Sequence, residues 1–157
     1  MSGFKDFVND IERPSSLLTG ERKSFLLSLM ALSAYVAQAD SRNVAQKCAY
    51  VERFITSCYQ EDKAQMCRSW LVRIINERVK YSSFQWTEKI AESADYMTHC
   101  TLPYDRLKVV SFLVYVAKSD AVVTLHEVNA VRNVASWLGI VQLAMPEIER
   151  FSREVAQ

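Results

Sequence analysis

The chain has 157 residues, half of them hydrophobic, with 19 Lys and Arg against 18 Asp and Glu and a net charge of +1. That length is most simply one domain with a core of useful size, and charges so evenly interspersed exclude the basic, phosphate-tracking surface of a nucleic-acid binder. Three glycines and three prolines are too few for a sheet protein with many tight turns, so the expected class is all-α: a single compact domain of about seven helices.

Phe4, Phe7, Val8 and Ile11 recur at helical spacing and predict a short amphipathic helix over residues 3–12, stopped by Arg13-Pro14. The opening Met1-Ser2-Gly3-Phe4-Lys5-Asp6 has neither the basic start nor the apolar run of a signal peptide. The longest uncharged run, Ser24 to Ala39, falls short of the ~20 apolar residues that a membrane-spanning helix requires. A cytoplasmic protein without an integral membrane segment is expected. Cys48, Cys58, Cys67 and Cys100 form no C-x-x-C pair, which fits a reducing compartment.

After a loop from Pro14 to Gly20, the segment from about Glu21 to Gln38 is apolar nearly all round and is expected at the centre of the fold. Asn43 with Gln46 has capping-box spacing and opens a helix whose stripe is Cys48, Val51, Phe54, Ile55 and Cys58. From about Asp62 to Val79, Met66, Trp70, Leu71, Ile74 and Ile75 share one face. Ser82 with Gln85 caps a helix from Phe84 to about Met97, with Trp86, Ile90, Ala94 and Met97 inward.

Pro103 suits the first position of a second central helix reaching about Lys118. Thr124 with Glu127 is a further capping box, and the helix behind it turns Leu125, Val128, Val131, Val134, Ala135 and Leu138 inward. Gly139 followed by Ile140 predicts a left-handed Schellman stop, and a last helix spans Pro146 to Val155.

Two of these segments are copies. Tyr35-Val36-Ala37-Gln38-Ala39-Asp40 aligns with Tyr115-Val116-Ala117-Lys118-Ser119-Asp120, and the same register pairs Leu27 with Leu107, Leu29 with Val109, Met30 with Val110, Leu32 with Phe112, Cys48 with Val128 and Val51 with Val131. Apolar meets apolar almost throughout. An internal duplication of this kind means that each half presents a face the other half can bury.

The second copy, Ser119-Asp120-Ala121-Val122-Val123-Thr124-Leu125-His126-Glu127, resembles the Ala-Asp-Gly-x-Ile-Ser-x-x-Glu pattern of the tellurite-resistance TerB-like family. The run to Trp137-Leu138-Gly139-Ile140 resembles that family's ending. Ala39-Asp40 and Tyr50-Val51-Glu52-Arg53-Phe54 are similar to the versions found in front of J-domains in DnaJ-like co-chaperones. The likeness covers about Phe25 to Ile140 and implies a TerB-like helical fold. For function it implies an interaction or regulatory module, in tellurite or stress response or as a co-chaperone accessory domain, that works through protein partners. Ser41 and Ala121 stand where the family has glycine, Asn43 where it has a β-branched residue, and Lys47 where the first repeat would carry Glu. The His-Pro-Asp tripeptide of a J-domain is absent from the chain.

Three carboxylates are the sharpest candidates for chemistry. If the duplication sets the two interhelix loops side by side, Asp40, Asp120 and Glu127 could converge on a hard cation such as Ca²⁺ or Mg²⁺, giving a cation-binding or sensing protein as the alternative function. The competing reading makes Glu127 simply the third residue of its capping box, with Asp at a helix start favoured by the dipole. His99-Cys100 invites a zinc or Cys-His reading, yet no second pair lies at finger spacing. Phosphate-binding glycine loops, G-x-S-x-G and H-E-x-x-H are missing, so no enzymatic role and no catalytic residue is expected.

Overall fold

The computed structural model describes residues 19–99 and 101–155. Among them run α1 (Thr19–Ala37), α2 (Val44–Cys58), α3 (Glu61–Glu77), a 3₁₀ turn (Arg78–Lys80), α4 (Ser83–Thr98), α5 (Pro103–Lys118), α6 (Leu125–Trp137) and α7 (Val141–Ser152). The expected helix over residues 3–12 and the thiol of Cys100 lie outside the described residues. The β structure among the described residues is a lone parallel bridge between Val123 and Val155.

The all-round apolarity of α1 puts it in the middle, packed against α2, α3, α4, α5 and α6. Phe25, Leu29, Met30, Leu32, Val36 and Ala37 are all buried, and the two serines among them are satisfied: Ser28 Oγ donates to Ser93 O at 2.6 Å and Ser33 Oγ to Leu29 O at 2.7 Å. The duplication is visible in three dimensions. Helix α1 meets α6 just as α5 meets α2, the arrangement a pseudo-twofold requires. Its register holds residue by residue, since Met30 and Val110, Leu32 and Phe112, Val36 and Val116, and Val51 and Val131 are all fully buried. Leu27 departs from it by standing 43 % exposed.

Local stop and start signals behave as their chemistry dictates. Ser82 and Gln85 form a reciprocal capping box with both bonds at 3.1 Å, and Pro103 opens α5. At the end of α6, Gly139 sits at φ +69°, with Ile140 N donating to Ala135 O and Gly139 N to Ser136 O at 3.0 Å each. Those two bonds define the Schellman motif.

Three expectations are corrected. Asn43 makes no capping bond: it adopts φ 60° and its amide leaves the local backbone for the other repeat. Helix α7 begins at Val141, not Pro146, because the buried stripe Ala144, Ile148 and Phe151 runs straight through the proline. Leu125 does not point inward but is 61 % exposed, because Glu127, two residues further along and therefore on nearly the opposite side of the helix, takes the inward place.

Candidate functional site

The two interhelix loops do lie side by side. Asn43 Nδ2 donates to Asp120 Oδ2 at 3.1 Å, and Gln46 Nε2 reaches Ser119 O at 3.4 Å. Within each loop the equivalent aspartate performs the same local task. Asp40 Oδ1 accepts from Arg42 N at 2.9 Å, and Asp120 Oδ1 accepts from Val122 N at 3.1 Å, so both copies close an Asx turn two residues on.

The deepest contact joins Lys47 to Glu127. These residues occupy the same position in the two repeats, and both side chains are almost completely enclosed, at 1 % and 0 % exposure. Glu127 divides its carboxylate between two duties. Oε1 accepts from Thr124 N at 3.0 Å and from Thr124 Oγ1 at 3.2 Å, and Glu127 N–H donates to Thr124 Oγ1 at 3.3 Å, which completes the expected capping box. Oε2 faces the ammonium of Lys47 at 3.0 Å, and that ammonium also lies 3.5 Å from Ala37 O at the end of α1. One carboxylate therefore starts its own helix and ties it to the other copy.

Sequence reading registered Lys47 only as a departure from the family pattern. The signal for the pair was nevertheless there: Lys47, Val51 and Ile55 form one inward stripe, and Glu127, Val131 and Ala135 form its copy, with opposite charges at equivalent positions.

Asp40 is 7 % exposed and is held as a carboxylate with a pKa of about 2. The backbone N–H of Arg42 is the main cause, followed by its guanidinium, whose Nη2 lies 3.4 Å from Oδ2; the hydroxyl of Thr124 in the other repeat assists. A depressed folded-state pKa adds stability that is present above the unfolded value near 3.8 and is lost as pH falls through about 2. Urea unfolding at stepped pH should therefore show wild type losing more stability between pH ~4 and ~2 than Asp40→Asn, which keeps the Asx acceptor but cannot titrate.

Ala121 occupies the left-handed region at φ 64°. A Cβ there costs roughly 1–2 kcal/mol, partly offset by the greater unfolded-state entropy of glycine. Ala121→Gly is expected to raise stability by up to about 1 kcal/mol, read as a higher denaturant midpoint with unchanged slope.

Asp40, Asp120 and Glu127 thus share one end of the fold, each engaged with protein donors. Among the described residues no group of three or more His, Cys, Asp or Glu side chains is placed to hold a metal ion. His99 is exposed at the end of α4, its ring nitrogen 3.4 Å from Thr98 Oγ1. Trp86 is buried, while Trp70 and Trp137 are half-buried, Trp137 packing on Tyr35 with ring centroids 5.1 Å apart. Among the described residues no helix is long and apolar enough to cross a membrane.

Fold and site together define an all-helical, internally duplicated module whose two copies meet at their interhelix loops. The family model for tellurite resistance protein TerB matches residues 26–149, most of the chain, and the chain belongs to the TerB family. Searches of curated proteins and of solved structures return no match.

Proposed function

We propose that the chain is a cytoplasmic, non-enzymatic interaction or regulatory module that engages a protein partner through its paired loops. The observation carrying this reading is the composition of that end of the molecule. A fixed frame, built from the Lys47–Glu127 pair and the Asn43–Asp120 bond, holds out Val122 at 41 % exposure, Leu125 at 61 % and the side chain of Arg42 at 74 %. Apolar side chains beside an arginine, on backbone that does not need to be ordered first, are the makings of a protein-binding face. A net charge of +1 spread over the chain supports a protein rather than a nucleic-acid partner. TerB membership supports a place in tellurite or other stress response, or beside a co-chaperone.

The test joins genetics to capture. Deletion should alter tellurite or stress sensitivity, and tagged protein should retain a reproducible partner that Leu125→Asp releases without change in helical circular dichroism. No phenotype, with the same captured proteins for both forms, would count against the reading.

The convergence of the loops also supports the alternative, a divalent-cation-binding protein that uses Asp40, Asp120 and Glu127. Lys47 competes with it, because its ammonium already meets Glu127 Oε2. Unfolding of chelated protein with added Ca²⁺ or Mg²⁺ separates the readings. A ligand that binds only the folded state adds about 2.7 kcal/mol at a hundredfold excess over its Kd, whereas a site already filled by Lys47 gives no saturable rise.

A further inference from the structure

The pseudo-twofold pairs the helices of the two repeats. It exchanges α1 with α5, α2 with α6, and α3 with α7, since α3 packs on α1 and α2 as α7 packs on α5 and α6. Helix α4 has no such twin among the described residues. It lies across α1 and α6 with Trp86, Ile90, Ala94 and Met97 buried, and Ser28 Oγ of α1 donates to its Ser93 O at 2.6 Å. Residues 99–102 then turn the chain into α5.

A twin of α4 would precede α1 in the chain and lie across α5 and α2. The sequence places a match at that point. Phe7, Ile11, Ser15 and Leu18 align with Trp86, Ile90, Ala94 and Met97 at one constant offset, so aromatic meets aromatic, isoleucine meets isoleucine, small meets small and Leu meets Met. The same offset sets Gly3 opposite the N-cap Ser82, and Asp6 opposite Gln85, in the first turn where the helix dipole favours a carboxylate. Pro14 falls opposite Ser93, so the match as a helix is shorter than α4 and ends before the proline.

The receiving face is also there. Beneath α4, Ser28 and Ala130 are buried and Tyr35 is half-buried; their counterparts in the other repeat are Lys108, exposed, Tyr50, half-buried, and Tyr115, 46 % exposed. Each counterpart is the more open of its pair. Charge agrees as well, because Lys108 and Arg53 are exposed on this face, whereas Asp6, Asp10 and Glu12 stand beside the apolar stripe of the N-terminal segment.

We propose that residues 3–12 form the twin of α4 and dock within their own chain across α5 and α2, bringing Phe7 to Tyr50 and Tyr115 as Trp86 shares a cleft with Ala130 and Tyr35. The duplicated unit is then four helices, and residues 13–18 make the turn into α1 that residues 99–102 make into α5. Neither Val122 nor Leu125 enters this docking, which is independent of the protein-binding reading above.

Nuclear Overhauser contacts in the labelled full chain test it, with Phe7→Leu assigning the Phe7 ring and an equal mixture of labelled and unlabelled chains separating contacts within a chain from contacts between copies. The expected result is a set of contacts within one chain from the Phe7 ring to Tyr50 and Tyr115. Phe7→Asp should also lower the denaturant midpoint, while Lys5→Gln, nearly opposite on the same helix, should leave it unchanged. Should Phe7→Asp fail to fold, the contacts decide alone. Contacts to another surface, contacts between copies only, no contacts, or a midpoint unmoved by Phe7→Asp would each overturn the proposal.

Discussion

Replacing Lys47 by methionine is expected to destabilise the fold by about 3–5 kcal/mol, the range for removing one partner of a buried ion pair. Methionine keeps much of the side-chain volume, so the loss reports charge rather than a cavity. Glu127 would remain fully enclosed with Oε1 still committed to Thr124 and Oε2 facing no cation. A further result identifies the cause. Adding Glu127→Gln should restore most of the lost stability, because glutamine still serves the capping box and the double variant buries no unpaired charge. Chemical unfolding of the two single variants and the double variant measures both expectations.

Phe112→Ala should cost a similar amount, about 3–5 kcal/mol, by a different route. Phe112 is fully buried on α5 and packs on two aromatic side chains of α2, Phe54 at 4.6 Å and Tyr50 at 6.2 Å between ring centroids. Its removal leaves a cavity where α2 and α5 meet, and the packed helices around it can relax only in part. Unlike the loss in Lys47→Met, this loss should not be recovered by adding Glu127→Gln, since no charge is stranded; equilibrium unfolding of the two double variants distinguishes the routes.

Most of the helical order was legible in the chain because its signals are local. Ser82 with Gln85, Thr124 with Glu127, Pro103 and Gly139 each act within one turn of backbone, and each does in the structure what its side chain predicts. The duplication was legible for a second reason: burial follows the repeat register, as Val36 with Val116 and Val51 with Val131 illustrate. What failed was decided between segments. Asn43 has a capping residue's chemistry, but its amide is engaged by Asp120, which is distant in sequence. Pro146 reads as a helix start, yet one missing N–H is tolerated where Ala144, Ile148 and Phe151 bury the same face on both sides of it.

The candidate site shows the same division. Asp40 and Asp120 were recognisable from the repeat, and the side-by-side loops followed from the duplication. Lys47 was not recognisable as a partner, because a lysine on an amphipathic helix is ordinarily solvated. Its inward direction becomes apparent only when it is set in register with Glu127 and the two stripes are read together. Helix α6 then has a charged residue where its core stripe begins, and Leu125 is left free to face outward.

The most direct test of the central claim, that the locked loop pair is the surface this module uses, is site-specific photocrosslinking in the native cell. A photoreactive residue is placed at Leu125, at the paired loops, or at Val72, which is 51 % exposed on α3 and belongs to neither loop. The account predicts a discrete protein adduct from position 125, none from position 72, and loss of the adduct when Lys47→Met is added. Equal crosslinking from both positions, or an adduct from position 72 alone, would contradict it.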